Sequence, residues 1–440
     1  MPLNILVLVI DSLREDKFVG KSKTSLTPNI EKLVKKGAYF SQAISSADVT
    51  GICLGNIFTG MFSQKTGIIQ RRFNSYIKTI FDILKDNNFH LYATVPNLTW
   101  FNQLVEKFDE VDTFYSANRI QDGLAEGVGE KISKRLSSKM KEPWIYYVHL
   151  EDLHEKIKVP EQYNKEKFGE TQYERMISYI DEWIGKIIQL CDLKNTFVII
   201  TSDHGDYIPI VENVGQIPRI QSAMKKGKEI VPSLEPVGIK LFIIIRNMSK
   251  FFQKRKLKKE LSTEQLRTLN ARGQKTLFDE TLKVPLLFLG KDISPGIFNN
   301  LVSGIDIFPT ILNKVGINIT NSEIDGRDLN VLMNGGKIDE IPIFIQTGDT
   351  QEQKESLVVG IRTSKFKYFR NRKNLEQNIH LYNLLDDPLE KNNIAKQFPK
   401  IVNILENELK KFENQKPICE IKENIKNNEI EEELKKMGYI

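Results

Sequence analysis

Cysteine is scarce: three in 440 residues, at Cys53, Cys191 and Cys419, with no Cys-x-x-Cys pair among them. An odd, dispersed trio excludes a disulfide framework, and the missing pair excludes a structural zinc ribbon. Histidine is scarce too, with only His90, His149, His154, His204 and His380, which limits how many metal ions can be proposed. Long apolar runs are missing: Leu241 to Ile245 falls far short of the ~20 residues of a membrane span. Ile5 to Ile10 is a run of six that stops at Asp11. A signal peptide needs about 7–15 apolar residues between a basic stretch and a small-residue cleavage site, so this run reads as a buried strand and the expected location is the cytoplasm. Neither charge sign dominates, with 63 basic against 57 acidic residues and a net charge of +6. That balance suits an anionic substrate, and nucleic acid is not an expected partner. With 40% apolar and 27% charged residues, collagen-like and wholly disordered chains are excluded as well.

What is there is an alternation. Apolar runs recur at 5–10, 90–95, 145–150, 196–201, 284–289 and 341–345. Near-continuous runs of this kind suit strands buried on both faces of a parallel sheet. Helical spacing lies between them: Pro28 opens one segment that closes at Gly37, Ile77 to Leu84 forms another, and Tyr179 to Ile188 a third. The expected class is therefore α/β, a mostly parallel sheet sandwiched by helices. Two stretches interrupt the pattern. Residues 207–270 read as an insertion with a basic, aromatic-spiked segment at 239–259, and the tail from about 398 carries a helical rhythm at Ile401, Ile404, Leu405 and Leu409.

Ligands in open α/β sheets bind beyond the carboxyl ends of the strands. Two runs end there in acids, the first at Asp11 and the second at Ser202-Asp203-His204-Gly205-Asp206. A carboxylate at the end of a buried strand is costly unless paired or metal-bound. Asp11 alone would serve equally as a helix cap. Together with Asp203 and His204 it offers oxygen and imidazole donors suited to a divalent ion. A third element runs from Asp48 to Gly60, with Thr50 just ahead of a short helix. Taken alone, a threonine there is an ordinary N-cap, but an alcohol at a helix N-terminus beside a metal is also placed for nucleophilic work.

These segments together resemble the sulfatase family of the alkaline phosphatase superfamily. Asn4–Arg14 resembles its opening block and Thr27–Leu33 its next. Thr50–Gly60 resembles the nucleophile block, which ends in Thr-Gly ten residues after the nucleophile. Further blocks follow in family order: Asp152-Leu153-His154, Thr201–Asp206, Thr276–Pro285, Gly304–Thr310, Asp325-Gly326-Arg327, Leu381–Pro388 and Met437-Gly438-Tyr439. The resemblance implies an alkaline phosphatase-like domain over 1–335, interrupted by a lid at 207–270, and a smaller C-terminal α+β subdomain over 336–440 with a short antiparallel sheet. It also implies one divalent ion (calcium, manganese or zinc) on Asp11, Asp203 and His204, with Thr50 as nucleophile and His154 as general acid. Lys65 and Arg272 or Lys275 would hold the anion. A second ion would need further histidines; only His380 follows His204, and Asp152 and His154 could contribute but lack a third partner, so one is expected.

The chain also departs from the pattern. Many sulfatases carry Cys or Ser at the Thr50 position, converted to formylglycine and followed by Pro and Arg; here Thr50-Gly51-Ile52-Cys53-Leu54 has neither, and threonine is no substrate for that conversion. Ser12 stands where a second Asp is common, and Arg272-Gly273 where His-Gly is common. The expected activity is metal-dependent cleavage of a sulfate or phosphate ester, of a small molecule or glycan, by in-line attack of Thr50. The alternatives are a phosphoryl-group transferase of the same superfamily, or a catalytically degenerate binding protein. For 239–259, a solvated lid helix is preferred over a membrane-surface contact.

Overall fold

The computed structural model describes residues 3–20, 22–70, 72–117, 120–154, 156–208, 248, 267, 276–318, 323–348, 357–419, 429, 430 and 432. Internal packing gathers the chain into two units, Met1–Asp206 with Lys275–Ile440, and Tyr207–Gln274. The inserted segment and its 239–259 stretch lie almost wholly outside the described residues.

In the first unit, β1 (Asn4–Ile10), β2 (Ala38–Ile44), β3 (His90–Pro96), β4 (Glu110–Phe114), β7 (Trp144–Leu150), β8 (Thr196–Thr201), β9 (Lys283–Leu289) and β10 (Gly296–Ser303) form one sheet. Its order is β10-β2-β9-β8-β1-β7-β3-β4, while β5 (Ser116–Ala117) and β6 (Ile120–Gln121) pair as a small ribbon. Every residue of β1, β7 and β8 is buried, as their unbroken apolar runs foretell. The pairs β1–β7, β1–β8, β3–β7, β3–β4 and β2–β10 are parallel. β9 is antiparallel to both β2 and β8, which a strand apolar on both faces cannot disclose in advance.

Helices cover this sheet. Thr171 caps the helix Gln172–Gln189 by accepting the Glu174 N–H at 3.1 Å, and its apolar stripe of Ile177, Ile180, Ile184 and Ile187 is buried. Across the core, Phe197 and Phe288 stack with centroids 5.6 Å apart.

The C-terminal part holds a four-stranded antiparallel sheet in the order β11 (Ile343–Gln346), β12 (Val358–Arg362), β13 (Phe366–Asn371) and β14 (His380–Asn383). The apolar run at 341–345 therefore belongs to this small sheet and not to the large one. The helix Pro399–Glu413 anchors to it through buried Arg370, whose guanidinium meets Glu406 at 3.0 Å and Glu413 at 2.6 Å. The α/β class with a C-terminal antiparallel sheet is the architecture read from the sequence.

Candidate active site and metal centre

The centre of the large sheet builds the site. β1 lies between β8 and β7, all three parallel, and the register pairs Val9 with both Thr201 and His149, and Ile10 with Leu150. Parallel neighbours in register end together, so Asp11, Ser202–His204 and His149–Glu151 converge at one rim. The Asp11 N–H donates to the Leu150 carbonyl at 2.8 Å. Ser12 follows with φ 63°, and its hydroxyl donates to Asp11 Oδ1 at 2.6 Å. Its backbone N–H donates to Asp203 Oδ1 at 3.3 Å.

Thr50 arrives from a different element. It is the first residue of the helix Thr50–Thr59, rather than part of a preceding loop. Residues 51–59 of that helix are all buried, and Gly60 ends it at φ 67° with its N–H on the Asn56 carbonyl at 2.9 Å. Gln70 Oε1 takes the Gly51 N–H at 2.6 Å. Ser45 ties this helix to the β8 loop by donating to the Asp203 carbonyl, with its Oγ 3.1 Å from Cys53 Sγ. Thr50 Oγ1 then lies 3.2 Å from Asp11 Oδ2 and 3.3 Å from His204 Nε2.

His204 Nδ1 sits 2.8 Å from the Gly205 carbonyl. A carbonyl only accepts, so Nδ1 carries a proton, and Nε2 is turned toward Thr50 and toward Asp203 Oδ2, 3.6 Å from the latter. Asp203 Oδ2 is buried with no hydrogen-bond partner. Burial alone would raise the Asp11 carboxyl, but His149, His154 and His204 outweigh it and hold it well below the ordinary carboxylate range. Burial, then the charge of Asp11, pushes the Asp203 carboxyl up instead. Two crowded, buried acids cannot both ionise cheaply without a cation between them. Asp11, Asp203 and His204 bring ligand atoms within 4.8 Å of one another. The orphaned Asp203 oxygen and the mixed oxygen and nitrogen donors fit a divalent ion.

His154 stands in the turn after β7, its N–H on the Glu151 carbonyl at 2.9 Å, close enough for its charge to act on Asp11. Lys65 is committed elsewhere: its ammonium lies 2.6 Å from Asp325 Oδ1 and 2.7 Å from the Glu323 carbonyl. Structurally it is the partner of Asp325 in a half-buried pair, not a free cation awaiting an anion. Arg272 and Lys275 lie outside the described residues. The blocks at 304–310 and 325–327 are structural, since Arg327 pairs with buried Asp306 at 2.9 Å and the Asp325 N–H donates to the Gly60 carbonyl at 2.9 Å. Sequence reasoning assigned no role to His149 and Glu151, although an imidazole inside an apolar strand was a signal in plain view.

An alkaline phosphatase-like sheet with acids and an imidazole at its rim, facing a hydroxyl at a helix start, defines a class of ester-cleaving folds. The profile of the family described as "Sulfatase" matches residues 3–317, and that described as "N-sulphoglucosamine sulphohydrolase, C-terminal" matches residues 273–415. The chain belongs to the sulfatase family. It is similar to a choline-sulfatase of Rhizobium meliloti (strain 1021), 32% identical over 120 residues, which are 27% of this chain and 22% of that protein. The chain thus matches about a fifth of that relative's length. Among solved structures it resembles the phosphonate monoester hydrolase of Agrobacterium radiobacter, with TM-score 0.68 and 14% identity, covering 93% of this chain and 95% of that one. It also resembles a 2-O GAG sulfatase, with TM-score 0.65 and 16% identity, covering 94% of this chain and 93% of that one.

Proposed function

We propose that the chain hydrolyses sulfate esters of small molecules or glycans, with Thr50 as nucleophile and a divalent ion held by Asp11, Asp203 and His204. The observation carrying this reading is the position of Thr50 Oγ1, between Asp11 Oδ2 at 3.2 Å and His204 Nε2 at 3.3 Å. When bound, the ion would lower the pKa of the alcohol beside it and neutralise charge on the ester oxygens. The Thr50 hydroxyl already donates to Asp11 Oδ2, and along that bond its proton leaves as Oγ1 bonds to sulfur. The bond from sulfur to the ester oxygen breaks, and His154 protonates the departing alkoxide. Water then attacks sulfur in the Thr50 ester and gives one proton back to His154. The bond from sulfur to Oγ1 breaks and Asp11 Oδ2 returns its proton to Oγ1, restoring the hydroxyl and releasing sulfate with the second proton of the water.

Sulfate is favoured by family membership and by the named activity of the choline-sulfatase relative. Phosphoryl chemistry is the second reading, favoured by threonine at the nucleophile position and by the phosphonate monoester hydrolase likeness. The deciding assay compares wild type and Thr50→Ala on paired aryl sulfate, phosphate monoester and phosphodiester substrates after loading manganese, zinc or calcium. Turnover should depend on metal and fall by at least ~10³-fold in Thr50→Ala, with the sulfate preferred. Equal turnover by Thr50→Ala would remove the nucleophile, and a preferred phosphate would reassign the substrate.

A further inference from the structure

A second set of metal-binding side chains lies on the other flank of Asp11, where β7 runs beside β1. His149 is fully buried, and its Nε2 lies 3.5 Å from Asp11 Oδ2 without a hydrogen-bond partner. Its other ring nitrogen, Nδ1, is 3.1 Å from Tyr147 Oη. If Nδ1–H donates to that oxygen, the Nε2 lone pair points at Asp11, the arrangement a metal-ligating imidazole adopts when an outer group fixes its tautomer. The Phe101 ring, 4.7 Å from the imidazole, walls the position from solvent. Two residues on, Glu151 is 7% exposed and its Oε2 is buried without a partner. Its carbonyl is fixed by Gln121 Nε2 at 3.2 Å and the His154 N–H at 2.9 Å, so the backbone presenting it is anchored.

Asp11, His149 and Glu151 bring one ligand atom each within 4.8 Å of the others. Asp11 can serve both flanks, because Ser12 holds its Oδ1 while Oδ2 faces Thr50 and His149 together. A plain His149–Asp11 hydrogen bond would satisfy the imidazole yet leave the Glu151 oxygen orphaned in a buried site, at a cost of ~1–3 kcal/mol. One cation satisfies both.

We infer that Asp11, His149 and Glu151 form a second divalent-cation site that shares Asp11 with the first. One imidazole nitrogen and two carboxylates suit manganese or zinc and disfavour calcium, which takes oxygen ligands. The site extends the expectation of a single ion by two ligands, His149 and Glu151, that the sequence alone did not bring beside Asp11. The inference is independent of the ester cleaved, because metal content is read without turnover.

The test is metal stoichiometry on the full chain, stripped of metal and titrated with Mn²⁺ or Zn²⁺, by calorimetry and elemental analysis of the dialysed protein. Wild type should hold two equivalents, and two Mn²⁺ ions sharing a carboxylate should give an exchange-coupled electron paramagnetic resonance spectrum. The near-isosteric Glu151→Gln and the larger change His149→Ala should each hold one, with circular dichroism confirming the fold. Asp203→Asn should also fall to one, through loss of the other site. A wild type that binds a single equivalent overturns the inference, whatever the variants do. Two equivalents persisting in both Glu151→Gln and His149→Ala overturn it equally, by placing the second ion elsewhere.

Discussion

Asp279 carries a buried charge cluster that pins the small sheet to the large one, and Asp279→Asn tests how tightly. The residue opens the short helix Asp279–Leu282 that leads into β9. Its carboxylate meets Lys367 Nζ, and lies 3.3 Å from the Arg362 guanidinium, both reaching from the small sheet with side chains 0% and 3% exposed. Glu390 completes the group, with Oε1 2.8 Å from Lys367 Nζ and Oε2 accepting the Asp279 N–H at 2.7 Å. Burial would raise the Asp279 carboxyl, but the two cations outweigh it and hold it well below the ordinary range. Burial pushes Glu390 up to about 7, Lys367 opposes, and the charge of Asp279 pushes further. Removing one partner of a buried pair costs about 3–5 kcal/mol. Here part of that loss is recovered: without Asp279 opposite it, Glu390 ionises more readily and neutralises Lys367. Among the described residues Arg362 keeps Gln42 Oε1 at 3.3 Å and its neighbouring carbonyl, so the expected loss is near the low end, ~3 kcal/mol. The assay is urea unfolding followed by tryptophan fluorescence, for wild type, Asp279→Asn and the double variant with Glu390→Gln. Because the folded-state pKa of Asp279 is depressed, its contribution is present above the unfolded value near ~3.9 and lost as pH falls through the folded value. Glu390 adds the opposite trend: raised to about 7 beside Asp279 and less so without it, it costs the wild type stability as pH rises toward about 7. The advantage should therefore peak near about pH 5, settle to a plateau above about pH 7, and shrink below about pH 4. The double variant should lose at least ~1 kcal/mol more than the single, since it removes the compensating acid. A loss under ~1 kcal/mol at pH 7, or an advantage that grows between about pH 5 and 7, would refute the argument and mean that water reaches these charges.

Three further outcomes are expected. Gly60→Ala should destabilise by about 1–3 kcal/mol in the same unfolding assay, because φ is 67° and a Cβ would stand 2.9 Å from Phe308 Cδ1. Cys53 should resist iodoacetamide in the native protein, and intact-mass spectrometry should show no aldehyde at residue 50 or 53. Burial, then Asp203, pushes that thiol well up, and its Sγ donates to the Ala47 carbonyl at 3.2 Å. Lys65→Met should leave KM for the preferred ester within about twofold while lowering stability by ~1 kcal/mol, the signature of a structural ion pair; a tenfold rise in KM would return Lys65 to the anion site.

The rim of acids and imidazoles was half legible in the sequence, and the reason is topological. Asp11 and Asp203-His204 each follow an unbroken apolar run, so a local pattern announces both. His149 and Glu151 also close such a run, but their meaning depends on β7 lying beside β1, an adjacency that no local pattern states. Lys65 poses the opposite difficulty, because its partner Asp325 is 260 positions away and along the sequence a cation near an anion site looks alike with or without it. The reversed direction of β9 was hidden because strands buried on both faces carry no mark of their orientation.

Ser12 shows how a departure from a family pattern changes meaning once the fold is known. Along the sequence it is a lost carboxylate, one ligand fewer for a metal. In the fold its backbone occupies φ 63°, where serine is uncommon, and its hydroxyl donates to Asp11 Oδ1 at 2.6 Å. The same residue donates its N–H to Asp203 Oδ1 at 3.3 Å, so one oxygen of each acid is held by position 12. The opposite oxygens, Asp11 Oδ2 and Asp203 Oδ2, are those facing Thr50 and His204. A second aspartate there would add negative charge beside two acids already in conflict, whereas the serine orients them without charge. Ser12→Ala should therefore weaken metal binding and turnover together, by about tenfold or more through loss of the hydrogen bond that orients Asp11. Ser12→Ala with wild-type metal affinity would show that position 12 is a lost ligand and nothing else.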